Sequence, residues 1–128
     1  MRKVYTDCYC TQVRRVSNLF TKIYDEALRP QKLRITQFST LRELARLGRA
    51  TVRELADELA LDQTTVSRNV KLLIEAGWID ATSCRGDARE KVLKLNKHGR
   101  SKLQKAMPAW SRTQETIENH IKGYVKPL

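Results

Sequence analysis

Small hydrogen-bonding side chains are concentrated at one end of the segment LDQTTVSRNVKLLIEAGWI, residues 61–79. Hydroxyl and amide groups can form hydrogen bonds with base edges or phosphate oxygens, and a guanidinium can donate two parallel bonds to guanine or phosphate. Lys71, one turn further on, is a candidate phosphate contact. Six residues face outward at this end, and all but the last are candidate contacts: Gln63, Thr64, Thr65, Ser67, Arg68 and Asn69.

The same segment predicts a helix that presents these side chains. Val66, Val70 and Leu73 follow helical spacing and form an apolar stripe that one face can bury. Asp62 stands where an N-cap belongs, and Gly77 stands where a helix commonly ends. An ordinary amphipathic helix has the same period, so the function of this segment must be inferred from the elements on either side of it.

The charge of the chain favours a polyanionic partner. Its 128 residues suit a single domain, and 25 Lys and Arg against 14 Asp and Glu give a formal net charge of +11. Such an excess points most often to nucleic acid and less often to an acidic membrane surface. No uncharged apolar run approaches the roughly 20 residues that a spanning helix needs, so we expect no membrane insertion.

The first residues and the cysteine count predict a cytoplasmic location. The start, MRKVYTDCYC, has basic residues without the apolar stretch of a signal peptide. Three cysteines are an odd number, which indicates free thiols in a reducing compartment. His98 and His120 are isolated, and neither a metal site nor a cofactor motif nor a catalytic motif is predicted. We therefore expect a protein that is not an enzyme.

The periodicity along the chain predicts a mainly α fold with one small β-hairpin. Helices are predicted over 7–29, about 35–47, from a Thr51–Glu54 capping box through 59, over the segment above, and over 97–122 with Asn96 as N-cap. Strands with a period of two flank the polar segment SCRGDAR. The apolar side chains of the second helix that are predicted to face the core are Ile35, Phe38, Leu41, Leu44 and Ala45. Three packed helices followed by a hairpin describe a winged helix-turn-helix lobe, residues 33–96, whose third helix enters the DNA major groove.

The first and last helices each carry a long apolar stripe, which predicts a homodimer. One small lobe cannot cover both stripes, so 7–29 and 97–122 are expected to be dimerisation helices. The stripe of the first helix is predicted at Tyr9, Val13, Val16, Phe20, Ile23 and Ala27, and that of the last at Leu103, Met107, Trp110, Ile117 and Ile121.

The hairpin tip supplies a second set of candidate DNA contacts. Arg85 and Arg89 flank a glycine there, and an arginine at such a tip can enter the minor groove. Asp87 cannot favour phosphate, so its expected role is to hold Arg89 or the turn. The alternative is that the tip is simply charged and solvated.

Three stretches together resemble the MarR family of transcriptional regulators: LRITQFSTLREL, TVRELADELALDQTTVSRNVKLLIEAGWI and GDAREKVLKLNKHG. Asp87 and Arg89 match the wing pattern of that family, and Asn96 stands where threonine is usual, a change that keeps an N-cap. The resemblance implies a homodimeric regulator, with two recognition helices and two wings on a pseudo-palindromic double-stranded operator. It also implies release by small aromatic ligands or by oxidants. The alternative is a winged-helix architectural or protein-interaction module without operator specificity.

Two signal-sensing sites are candidates. The resemblance implies that Cys8 and Cys10 could be redox-active, because the oxidant-sensing branch of the family has a reactive cysteine near this position. Arg14, one turn past Cys10, would favour its thiolate. The alternative, which cysteines on a helix fit more often, is that both are small apolar interface residues. Two cysteines on one helix, two residues apart, would point about 200° apart, which argues against a bond between them. Residues that could line a ligand pocket, or simply belong to the core, are Tyr24, Met107 and Trp110.

Overall fold

The structure is a computed structural model that describes residues 8–84 and 87–121, without the side chains of 84 and 87–89. Within these residues the predicted order of elements is confirmed. The elements are α1 (Tyr9–Leu28), a short 3-10 turn (Arg29–Gln31), α2 (Ile35–Leu47), α3 (Val52–Leu59), α4 (Gln63–Glu75), β1 (Ile79–Cys84), β2 (Asp87–Leu95) and α5 (Lys97–Ile121).

The ends of α1 differ slightly from the prediction. Cys8 is the N-cap residue in an extended conformation, with φ −63° and ψ 132°, so the helix begins at Tyr9. At the other end Pro30 lies inside the 3-10 turn, where its fixed φ and missing N–H are tolerated. Lys32 then adopts a left-handed conformation, with φ 56°, and the chain turns into α2.

The caps of α3 and α4 form as their sequences predict. The Thr51 hydroxyl accepts from the Glu54 backbone N–H at 3.2 Å, and the Glu54 carboxylate accepts from the Thr51 N–H at 3.0 Å. Asp62 Oδ1 accepts from the Thr65 N–H at 2.7 Å. The last helical residue of α4 is Glu75, and Gly77 follows with φ 84°, a conformation that glycine adopts readily. Short, capped connections therefore hold α2, α3 and α4 together.

The core lies where α2 meets α3, α4, α5 and the hairpin. Phe38, Leu41 and Leu44 of α2 are fully buried, as predicted. Ala45 is exposed, so its predicted burial is wrong. Ala45 follows Leu41 by four residues and so continues the same stripe, but it lies in the last turn of α2, where its side chain is exposed. The remaining core is contributed mainly by Leu55, Ala56, Val66, Val70, Leu73, Ile79, Leu93, Leu95, Leu103 and Ala106.

The hairpin is attached to this core at its base. Strands β1 and β2 pair antiparallel, with Ile79 opposite Leu95 and Ala81 opposite Leu93. Ala50, between α2 and α3, exchanges two backbone hydrogen bonds with Leu93, at 3.0 and 2.8 Å. The buried side chains of Ile79, Leu93 and Leu95 face the helices. The base of the wing is consequently fixed relative to α2 and α3.

The start of α5 closes the lobe. Asn96 Oδ1 accepts from the Gly99 N–H at 2.9 Å, and its Nδ2 donates to the Gly77 carbonyl at 2.9 Å. From there α5 continues through Pro108 to Ile121. Among the described residues, no helix has the length and apolar character that crossing a membrane would require.

Gly99→Ala is expected to destabilise the fold although alanine normally favours a helix. An added Cβ would lie 2.2 Å from the Trp78 carbonyl oxygen and 2.6 Å from Leu95 Cδ1. We expect a loss of about 1–3 kcal/mol in the free energy of unfolding, measured by urea titration at one protein concentration. Ser101→Ala, at an exposed position of the same helix, is the control and should change little. A Gly99→Ala protein as stable as the parent would contradict this packing.

Candidate nucleic-acid interface

The N-terminal end of α4 projects from the lobe. Val66, Val70 and Leu73 are buried on one face. The other face presents predicted contact residues that are exposed: Gln63, Thr64, Ser67, Arg68 and Lys71. The first backbone N–H groups of a helix have no partner inside it and carry partial positive charge, which favours phosphate nearby. This end of α4 therefore combines hydrogen-bonding side chains with an anion-attracting backbone.

Thr65 differs from the other predicted contacts because it belongs to the cap. Its hydroxyl donates to Asp62 Oδ2 at 2.9 Å, and its backbone N–H donates to the other carboxylate oxygen. These hydrogen bonds, chiefly the one from the Thr65 backbone, lower the pKa of the Asp62 carboxyl below its ordinary value of 3.8. Thr65 is half-buried and orders the start of α4.

Asn69 does not face outward, and this prediction is wrong. Its Nδ2 donates to the Thr36 carbonyl at 3.0 Å and to Thr40 Oγ1 at 2.9 Å, both in α2. The sequence contained a signal for this placement, because position 69 is three residues after Val66 and four before Leu73. That spacing puts Asn69 on the buried face of α4.

A groove of about 730 Å³ runs between α4, the start of α3 and β2. Gln63, Ser67 and Lys71 line it from α4, and the cations Arg53 and Lys91 line it from α3 and β2. Its floor is apolar, and its remaining lining residues are Thr51, Val52, Val70, Ile74, Glu75, Glu90 and Leu93. Side chains from three elements thus meet at one surface.

The sequence prediction missed Arg53 and Lys91. Arg53 follows the capping-box Thr51 by two residues and so lies in the first turn of α3, near the helix end that attracts phosphate. Lys91 precedes the buried Leu93 by two residues and so lies on the same face of β2, and both residues line the groove. Both positions could have been found by asking which cations share the groove side of their elements. Arg85 lies outside the described residues, as do the side chains of Asp87 and Arg89, whose backbones belong to β2.

The two cysteines near α1 are both exposed but stand in different environments. Cys8 is the N-cap residue, outside the helix, so the prediction that both thiols lie on one helix is wrong. Hydrogen bonds from the backbone of Thr11, then from the backbone of Cys10, lower the pKa of the Cys8 thiol below its ordinary value. Arg14 Nη2 lies 3.8 Å from Cys10 Sγ and donates to it. The structure therefore brings a cation to one thiol and backbone donors to the other.

The three residues considered for a ligand pocket are engaged in packing. Trp110 stacks on Phe38 with ring centroids 5.5 Å apart, and the Arg42 guanidinium lies 4.5 Å from the Trp110 ring. The Tyr24 hydroxyl donates to Gln114 across α1 and α5, and Met107 packs against the core. A groove of about 680 Å³ between α1 and α5 is lined by other residues, which are Lys22, Ile23, Glu26, Ala27, Ala109, Arg112, Thr113 and Thr116.

Three packed helices, a third helix with an exposed and capped N-terminus, and a hairpin fixed at its base define a winged helix-turn-helix protein. The sequence model of the MarR family matches residues 32–90. The HTH-type transcriptional regulator YwoH of Bacillus subtilis is 32% identical over 93 residues, which cover 73% of this chain and 67% of the relative. The chain belongs to the MarR family of DNA-binding transcriptional regulators.

Solved structures agree with this assignment. The transcriptional regulator MosR of M. tuberculosis, in complex with DNA, superposes with a TM-score of 0.79 at 34% identity, covering 95% of this chain and 86% of that one. A mutant MarR from E. coli complexed with operator DNA has a TM-score of 0.75 at 20% identity, covering 91% and 81% of the two chains. The latter similarity shows the shared fold.

The cap of α4 gives a pH-dependent prediction. Since the fold lowers the pKa of Asp62, its contribution to stability is present above the unfolded pKa of 3.8 and is lost as pH falls through the lower folded value. Asp62→Ala should therefore lower the melting temperature near neutral pH, and its difference from the parent should shrink between pH 5 and pH 2.5. Glu115→Ala, at an exposed position of α5, is the control. An Asp62→Ala difference independent of pH would refute this cap.

Proposed function

We propose that this protein is a homodimeric repressor that binds a specific operator through the N-terminal ends of two α4 helices and is released by a chemical signal. The observation that carries the proposal is the groove beside α4. There Gln63, Ser67 and Lys71 meet cations from α3 and β2. A net charge of +11 supplies the general attraction to DNA. The DNA complex of the 34% identical MosR supports the same partner here.

In this proposal each group has a separate task. Gln63, Thr64, Ser67 and Arg68 reach base edges in the major groove, where amides and guanidinium groups distinguish bases. Arg53, Lys71 and Lys91 hold the phosphates on either side and set the register without reading sequence. The wing arginines, Arg85 and Arg89, enter the minor groove, with Asp87 orienting Arg89.

The exposed face of α1 supports the homodimer. Tyr9, Val13, Val16 and Leu19 are 87%, 68%, 52% and 55% exposed in the single chain, and Ile23 continues the row. Five large apolar side chains along one helix face are more than a monomer usually leaves in water. Phe20, which is predicted in this stripe, is half-buried, and its neighbour Leu19 takes its place in the exposed row. A second α1, together with the ends of α5, would cover this seam.

Thiol oxidation is the release signal that the geometry favours, with a small aromatic ligand as the alternative. A thiolate at Cys8 or Cys10 attacks one oxygen of hydrogen peroxide, forming a sulfenic acid and releasing hydroxide, which takes up a proton as water. A second thiol then attacks the sulfenic sulfur, forming a disulfide and releasing water. Cys8 and Cys10 adjoin Tyr9 at the seam, so a new bond there would change how the two subunits pack.

Arg68→Ala and Arg89→Ala should weaken DNA binding in different ways. If Arg68 reads a base, its loss should weaken operator binding by roughly 1–3 kcal/mol and relax the preference at one position in each half-site. If Arg89 meets the minor groove, its loss should lower affinity for all sequences and flatten the salt dependence. Arg100→Ala, an exposed arginine of α5, controls for the loss of charge. Unchanged DNA binding by both variants would overturn this arrangement on DNA. If excess nonspecific DNA displaces the parent protein from its operator, the architectural module without operator specificity is favoured instead.

Val16→Asp should dissociate the dimer. A carboxylate placed in an apolar seam loses its hydration without gaining a partner, so we expect dimerisation to weaken roughly 100-fold or more. Sedimentation at micromolar concentration measures the change. Ser17→Asp, which adds the same charge to the exposed neighbouring position, should remain dimeric. A monomeric parent, or a dimeric Val16→Asp protein, would contradict the seam.

Peroxide should release the parent protein from its operator, and dithiothreitol should restore binding. Cys8→Ser and Cys10→Ser separate the two thiols: the variant that lacks the attacking thiol should keep its operator in stoichiometric peroxide. Mass spectrometry under non-reducing conditions identifies the bond formed. A parent that binds equally well in peroxide and in dithiothreitol would exclude thiol oxidation and leave the small ligand as the signal.

A further inference from the structure

Asn69 makes a polar contact at the crossing of α4 and α2. Its amide donates to the Thr36 carbonyl and to Thr40 Oγ1, at 3.0 and 2.9 Å, and Thr40 is fully buried. The Thr40 hydroxyl itself donates to the Thr36 carbonyl at 2.8 Å, so its proton has a partner without Asn69. The surrounding positions of α4 are apolar, and a leucine would continue that stripe. The Thr40 hydroxyl therefore does not require Asn69 as a hydrogen-bond partner, and the two hydrogen bonds from the Asn69 amide call for another explanation.

The same part of α2 is also hydrogen-bonded to α1. Asp25 Oδ1 accepts from the Ile35 backbone N–H at 2.7 Å, at a half-buried position. Ile35 is the first residue of α2, and Thr36 is the second. The first turns of α2 are consequently hydrogen-bonded both to a carboxylate on the seam helix and to an amide on the recognition helix. Both contacts are directional, whereas apolar packing alone allows helices to rotate and slide.

We propose that Asp25 and Asn69 are positioning residues that fix α4 relative to α1 and thereby set the spacing between the two recognition helices. The proposal rests on the homodimer proposed above. Each α1 belongs to the seam, and each α4 enters one half-site, so the α1–α2–α4 geometry determines which half-site separation fits. A buried donor that loses its acceptor is penalised, which favours one discrete arrangement over a range of similar ones.

The spacing preference is the property that tests this role. One inserted base pair moves the half-sites by about 3.4 Å along the DNA and rotates them by about 35°. The parent should bind its operator at least about tenfold more tightly than operators with one base pair added or removed. Asn69→Leu keeps the number and branching of the side-chain heavy atoms and removes the amide donors, so it should reduce that ratio severalfold, on the scale of one or two hydrogen bonds.

Matched variants separate positioning from general damage. Asp25→Ala should reduce the ratio as Asn69→Leu does, and Asp25→Asn, which keeps an accepting oxygen, should restore it. Because both residues act through α2, the double variant should lose little more than the larger single loss. Glu26→Ala on α1 and Leu72→Ala on α4, at exposed neighbouring positions, should leave the ratio unchanged. If Asn69→Leu does not fold, Asn69→Ala takes its place.

The outcomes distinguish two failures. Folded, dimeric Asn69 and Asp25 variants with the spacing ratio of the parent would overturn the positioning role and leave the proposed function intact. Strictly additive losses in the double variant would also overturn it, because independent contacts do not share α2. A parent that is monomeric, or that binds all sequences alike, would contradict the proposed function and this inference with it.

Discussion

The burial of one face of α4 against the core is the constraint on which the rest of the structure depends. Val66, Val70 and Leu73 are nearly or fully buried, so the opposite face and the N-terminal end must point outward. Asp62 caps that end because its carboxylate accepts a hydrogen bond from the Thr65 N–H, three residues further along the chain. This cap does not cover the outward-facing side chains. The helix is thereby held firmly at its back while its exposed end presents hydrogen-bonding groups.

The wing and α3 depend on the same packing. Leu93 is buried in the core and also pairs with Ala50 through two backbone hydrogen bonds. This link joins the base of the hairpin to the connection between α2 and α3. Because all three elements share one core, Arg53, Lys71 and Lys91 can lie around one groove although they are distant in sequence. The proposed DNA contacts would therefore be made by a preformed surface, which does not first have to order its own parts.

Periodicity and capping residues predicted much of this fold. These predictions rest on local patterns, which are the helices of the lobe, the Thr51–Glu54 capping box and the alternation in the strands. Such patterns are determined by hydrogen bonds between residues close in sequence and by the one face that each element buries. The polarity of Asn69 suggests an outward position although its spacing indicates the buried face. Ala45 continues the apolar stripe of α2 but lies in the last turn of that helix, where it is exposed. The predicted first helix begins at residue 7, two residues too early, and therefore includes Cys8. In the structure Cys8 is the N-cap residue, which is extended and lies outside the helix.

Contacts between elements could not be predicted in the same way. The stacking of Trp110 on Phe38 and the hydrogen bond from Ile35 to Asp25 depend on how α5 and α1 cross α2. Crossing angles follow from the summed packing of many side chains, and no single sequence window contains that information. The same holds for the groove, whose cations come from three segments.

Amide hydrogen exchange with and without operator DNA tests the account most directly. Protein bound to its operator should show slower exchange over residues 62–71 and around Arg53 and Lys91, relative to the same protein with scrambled DNA of equal length. The outer face of α5 should exchange at the same rate in both samples. Protection confined to α5, or equal protection by both DNAs, would contradict the assignment of the α4 end as the sequence-reading surface.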